Sequence, residues 1–301
     1  MKPRALALFL VLGCAANSSD PFAGTGGTSG GGSGGSSVPT GVGGTTATGG
    51  ATATGGATGS TGGAPGTAAG QPARLIVLGD SIAACANVGN KMGADCSLKK
   101  LYDYVKATYA AALTYENVAV GGAVTADVPM KQLADVKPAP GAALVVIFVG
   151  GNDLAKYIFT TDAAAEQGLK TDLPGVLAAW SQVFAFFDDK SKFPDGYRMI
   201  MNNQYNPFDD CTALPYNITA RKFELLHQFN DELAKVAQAK GATIVDQYTP
   251  FLGHGHHYNV MSCPHYMAGA AGWMSDLIHP NAAGHADLFE QWKKVVDALY
   301  R

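Results

Sequence analysis

The chain has 301 residues, 38 of them glycine, with 47% apolar and only 15% charged side chains. Its formal net charge of −3 at pH 7, spread without a basic cluster, argues against nucleic acid as a partner. Beyond the N-terminal segment no apolar run is long enough to span a bilayer as a helix, so the folded part is expected to be water-soluble.

Met1 to Cys14 opens on Lys2 and Arg4, runs through an apolar stretch from Ala5 to Leu12, and ends in Gly13-Cys14. This is the pattern of a secretory signal. Val11-Leu12-Gly13-Cys14 resembles the lipobox of bacterial lipoproteins, whose cysteine becomes the lipidated first residue, although Leu12 is bulkier than that motif usually has there. The other reading is an ordinary signal peptide, with Cys14 removed or left free. Residues 15–72 are mostly Gly, Ser, Thr and Ala. They cannot bury enough surface to offset the entropy of ordering, and they read as a disordered tether. Two G-x-S-x-G matches centred on Ser29 and Ser33 carry no weight there, because that motif has meaning only between a strand and a helix. Residues 73–301 are expected to form one α/β domain. The whole is expected as a monomer in the bacterial envelope, lipid-anchored to a membrane, the outer membrane by preference, or secreted.

In the domain, Arg74 to Leu78 reads as a buried strand closed by Gly79-Asp80-Ser81. Cys85 and Cys96 bracket the next loop. With Cys211 and Cys263 they make an even count that suggests two disulfides in an exported domain. Four cysteines allow three pairings, and proximity favours Cys85 with Cys96, leaving Cys211 with Cys263. A helix is expected over Leu98–Leu113, a strand over Tyr115–Val120 closing on Gly121-Gly122, and a helix over Thr125–Val136. After Pro138, Pro140 and Gly141 comes a strong strand signal, Ala143–Val149, ending in Gly150-Gly151-Asn152-Asp153. A helix over Leu173–Asp188, a strand over Tyr197–Asn202, a helix over Ile218–Lys240 stopped by Gly241, a short strand over Thr243–Val245 and a last helix over Pro280–Leu299 follow. Strands alternating with helices point to a parallel sheet covered on both faces.

Ser81 at a strand tip is placed to act as a nucleophile if a base can reach it. Asp276 and His279 can supply that base, because an acid three positions before a histidine can accept the imidazole N–H and fix its tautomer. Pro280 suits a first helical position, which would put His279 at a helix N-terminus.

These blocks together resemble the SGNH hydrolases, the GDSL family of lipases and esterases, over nearly all of residues 74–300. Gly79-Asp80-Ser81 matches the nucleophile block, with Ile82 where the name-giving leucine would stand. Asn117 to Gly122 matches the block whose last glycine donates its N–H to the oxyanion. Gly150 to Asp153 matches the block whose asparagine is another donor, and Asp276 to Pro280 the block of the triad acid and base. The resemblance implies a three-layer α/β/α flavodoxin-like domain around a parallel sheet of about five strands. It also implies a catalytic triad of Ser81, His279 and Asp276, and an oxyanion hole of Ser81, Gly122 and Asn152. A side chain at Gly122 is expected to crowd the substrate carbonyl.

No cofactor and no metal are called for. His254, His256, His257 and His265 lack a paired spacing and read as a mobile loop near the cleft. Asn206-Pro207-Phe208 with Asp209 and Asp210 suits either a pocket wall or a turn. The expected activity is hydrolysis of carboxylic esters, with lipid, short-acyl and acetylated-carbohydrate substrates all open. The alternative is a non-catalytic module that binds a glycan or lipid on the same fold.

Overall fold

The structure, a computed structural model, describes residues 70–301. The expectations for Cys14, for the signal segment and for the tether up to residue 69 lie outside the described residues. Among those described, no helix is long and apolar enough to cross a membrane.

Five parallel strands form one sheet: β1 (Arg74–Gly79), β2 (Thr114–Asn117), β3 (Ala143–Phe148), β4 (Tyr197–Asn202) and β5 (Thr243–Val245), in the order β2-β1-β3-β4-β5. β1 and β3 are buried at every residue, as continuous apolar runs in a sheet covered on both faces should be. Ile76 and Leu78 pack with α3 (Asp162–Asp188) and α4 (Ala220–Lys240), whereas Leu75 and Val77 pack with α1 (Ser97–Thr108) and α6 (Ala282–Tyr300). The order reverses direction between β1 and β3, which opens a crevice at their carboxyl ends where such sheets bind ligands.

Several boundaries differ from the sequence reading. α1 stops at Thr108 because the chain must turn through Ala110 to bury Leu113 and start β2. β2 ends at Asn117, whose side-chain oxygen takes the Ala119 N–H. The helix expected over Thr125–Val136 is a set of turns around one π-helical turn, Val128–Gln132. Val128, Leu133 and Val136 are buried as their spacing suggested, but Pro129 lacks an N–H and the Thr125 N–H is taken by Asp153. α3 starts at Asp162, capped by Thr161, and runs through Pro174. A short α2 (Gly151–Ala155) follows β3, and α5 (Tyr248–Phe251) follows β5.

The cysteines pair as Cys85–Cys96 and Cys211–Cys263. The loop carrying His254, His256 and His257 is anchored by buried Asp209, whose carboxylate accepts from the backbone N–H groups of Gly253, Gly255 and His257 at 2.7–2.9 Å.

Candidate active site

The strand that leads to Ser81 ends where no side chain but hydrogen fits. Gly79 has φ +137°, and a Cβ there would stand 2.0 Å from the Phe148 carbonyl oxygen. Gln132 completes the strand end with its amide, accepting from the Gly79 N–H at 2.9 Å and donating to the Gly79 carbonyl at 2.8 Å. Asp80 then accepts the Ile82 N–H at 2.9 Å, and the Ala86 N–H closes onto the Ser81 carbonyl at 2.9 Å. This tight turn presents Ser81 at the crevice.

Ser81 Oγ lies 2.9 Å from His279 Nε2, and His279 Nδ1 lies 2.9 and 2.8 Å from the two oxygens of Asp276. A carboxylate can only accept, so Nδ1 carries the proton and Nε2 is left to accept from the serine hydroxyl. Burial would raise the Asp276 pKa, but bonds from the N–H groups of Ile278 and His279, from the His279 ring and from Asn87 outweigh it and hold the carboxyl below its ordinary value. The turn bearing this pair is closed by Ser275, whose N–H donates to the His279 carbonyl at 2.8 Å, and by Tyr205, whose hydroxyl donates to the Ile278 carbonyl.

His279 does not sit at a helix N-terminus. α6 begins at Ala282, and Asn281 caps it by accepting from the N–H groups of Ala283 and Gly284. Ala282 holds the first helical position expected of Pro280, because Asn281 is a competent cap two residues further on than the residue that would precede Pro280.

Among the described residues no protein group accepts from the backbone N–H of Ser81 or of Gly122. Gly122 has φ +79°, and a Cβ on it would meet nothing within 4 Å. Its glycine is thus required by the left-handed backbone. Asn152 Nδ2 donates to the Ala123 carbonyl at 3.0 Å, which puts its amide beside that loop. Asp153 fixes the same loop, accepting from Thr125 N–H and Oγ1 at 2.8 and 2.9 Å. Asp80 is buried under the serine, and burial, with the Asp153 charge adding to it, pushes its carboxyl up to about 7 against the Ile82 N–H that lowers it.

A cavity of about 120 Å³ opens on Ser81 and Asn152. Its walls are chiefly apolar: Leu154 and Ile158 after β3, Leu169 of α3, and Ile218, Phe223 and Leu226 at the start of α4. Asn206, Pro207 and Phe208 line it too, while Asp209 and Asp210 turn away to hold neighbouring loops. Lys222 at its edge is tied to the Ile158 and Thr160 carbonyls at 2.6 and 2.5 Å.

The four histidines serve separate contacts. His254 stacks on Trp273 at 3.6 Å between centroids, His256 faces the Leu277 carbonyl, and His265 lies 3.5 Å from Asp210. His257 is near Cys211 and Cys263, but those sulfurs are bonded to each other, and both its ring nitrogens face backbone carbonyls of Phe208 and Ala213. Sequence reasoning missed the supporting groups Asn87, Gln132, Asp153, Tyr205 and Ser275. Only Asp153 had a signal, as the neighbour of Asn152 at a strand end.

The model of the GDSL-like Lipase/Acylhydrolase family matches residues 77–286. No curated protein sequence matches the chain. Similar solved structures include a phospholipase A1 from Streptomyces albidoflavus, with 19% identity, TM-score 0.52, and coverage of 74% of this chain and 99% of that one. An extracellular lipase from Streptomyces rimosus has 21% identity, TM-score 0.51, and coverage of 75% and 98%. An acetylxylan esterase from Geobacillus stearothermophilus has 17% identity, TM-score 0.48, and coverage of 75% and 94%. At these identities the likeness to the two Streptomyces enzymes is one of fold.

Proposed function

The chain belongs to the GDSL-like lipase/acylhydrolase family and is a carboxylic ester hydrolase, and we propose that it is a serine esterase selective for esters with an apolar acyl chain. The observation that carries this reading is the hydrogen-bonded series Ser81–His279–Asp276 beside an apolar cavity. Ser81 Oγ attacks the ester carbonyl while His279 Nε2 takes its proton, and Asp276 stabilises the imidazolium. The oxyanion is received by the N–H groups of Ser81 and Gly122 and by the Asn152 amide. The imidazolium then gives its proton to the leaving alcohol. His279 next takes a proton from water, which attacks the acyl-serine, and returns that proton to Ser81 Oγ as the acid is released.

The cavity favours an alkyl chain over an acetyl group because each buried methylene contributes about 0.8 kcal/mol. Nitrophenyl esters of rising acyl length, run beside acetylated xylan, test this. A rise in kcat/KM from acetyl to medium chains is expected, and a preference for acetyl groups on xylan would replace the lipid-type reading with a carbohydrate one. A fluorophosphonate that failed to label Ser81 would leave a non-catalytic binding module. The same proposal has Cys14 as a lipid anchor, so that Cys14→Ala releases the protein from the membrane fraction.

A further inference from the structure

The disulfide-bracketed loop that leaves Ser81 returns to the triad at a second point. Asn87 Nδ2 donates to Asp276 Oδ2 at 2.6 Å and to Ser275 Oγ at 2.9 Å. The Asn87 backbone is left-handed, φ 65°, as is that of Cys85, φ 61°, a conformation asparagine tolerates better than most residues. Cys85 is fully buried and bonded to Cys96, and the Ala86 N–H is bonded to the Ser81 carbonyl. The base of the Asn87 turn is therefore fixed on both sides.

We propose that Asn87 is a positioning residue that clamps Asp276, and through it the His279 imidazole, to the loop carrying Ser81. This rests on the triad roles given above. The Asp276 side chain is 45% exposed, so water competes for its oxygens. Its bonds from the Ile278 and His279 N–H groups lie within its own turn, and the bonds of Tyr205 and His256 to the Ile278 and Leu277 carbonyls hold that turn's backbone without reaching the carboxylate. Two side chains of the Ser81 loop reach the turn: Ser81 bonds His279, and Asn87 bonds Asp276 and Ser275. The first disappears on acylation, because the serine proton has left with the alcohol and Oγ has become an ester oxygen. His279 must then activate water while its orientation depends on Asp276, and that of Asp276 on Asn87.

Asn87→Gly tests this, since it removes the amide but permits the left-handed backbone. With a nitrophenyl ester kcat is expected to fall about tenfold with no rise in KM, a loss suited to a misplaced catalytic group. In an Asp276→Asn background the same change should alter kcat by less than about twofold, because the group it acts through is altered. Asn87→Asp, which keeps size and backbone but sets a carboxylate against Asp276, should be at least as damaging. An equal loss in both backgrounds, a rise in KM in place of the fall in kcat, or unimpaired kcat overturns the proposal. An inert Ser81→Ala beside an unimpaired Asn87→Gly refutes the role of Asn87 alone, whereas an active Ser81→Ala removes the triad and this clamp with it.

Discussion

In the proposed mechanism Ser81, His279 and Asp276 carry unequal shares of the chemistry, so their substitutions should cost unequal amounts. Ser81→Ala and His279→Ala each remove a group that exchanges the proton, and kcat should fall to background in folded protein. Asp276→Asn removes only orientation and charge at a solvent-exposed site, and should retain roughly 100-fold more kcat than Ser81→Ala. Equal losses would mean that Asp276 takes part in proton exchange. Asp80 makes a different prediction. Folded, its carboxyl keeps its proton up to about pH 7, against an ordinary value of 3.8. Its contribution to stability is therefore complete below about pH 4 and is lost as pH rises to about 7. His285, buried and lowered to about 4 chiefly by burial, acts oppositely: its contribution is complete above about pH 6.5 and is lost as pH falls to about 4. Asp80→Asn should remove the first effect, gaining on the order of 4 kcal/mol at pH 8. Urea unfolding at pH 5 and pH 8 measures this, and an Asp80→Asn no more stable than the parent at pH 8 would contradict it. The residues of the hydrogen-bonded series Ser81–His279–Asp276 stood out because Gly-Asp-Ser and Asp-x-x-His are short motifs. Asn87 and Gln132 did not, since they act on partners 189 and 53 residues away.

The buried strands were legible as elements because a parallel sheet covered on both faces writes itself as unbroken apolar runs. Helices with little buried face were harder to see. In the first half of α3, residues 162–172, only Ala165 and Leu169 are buried, too few to set a helical period. Those same two residues line the cavity beside Ser81, so the piece of helix that periodicity could not show is a wall of the proposed acyl site. Leu169→Trp is expected to fill that end of the cavity. Turnover of medium-chain nitrophenyl esters should fall by about tenfold or more while acetyl ester hydrolysis changes little, since the longer chain alone needs the space. A uniform loss across chain lengths would place the acyl group elsewhere.

The alternation of strands and helices implied a parallel sheet, but the strand order also depends on where each crossover lands, which one chain's periodicity does not encode. That order puts β1 between β2 and β3, and this decides how much of the N-terminal region the hydrolase needs. Ala73 is already in the sheet's network, its N–H donating to the Ala142 carbonyl and its carbonyl accepting from Thr114. The buried Arg74 guanidinium is 3.1 Å from Glu116 and bonds the Lys137 and Ala139 carbonyls at 2.5 and 3.3 Å, tying the starts of β1, β2 and β3 together. A chain beginning at Gln71 keeps all of these contacts and should match the full chain in melting temperature and in kcat/KM on soluble esters. A chain beginning at Leu75 leaves Glu116 without its cation and the central strand without its first pairings. The Glu116 side chain is 25% exposed, so water offsets part of the lost pair, but the lost strand pairings add to it in a domain whose whole stability is about 5–15 kcal/mol. That shorter chain should unfold at markedly lower urea, whereas an unfolded or inactive protein starting at Gln71 would show that residues before it belong to the catalytic domain.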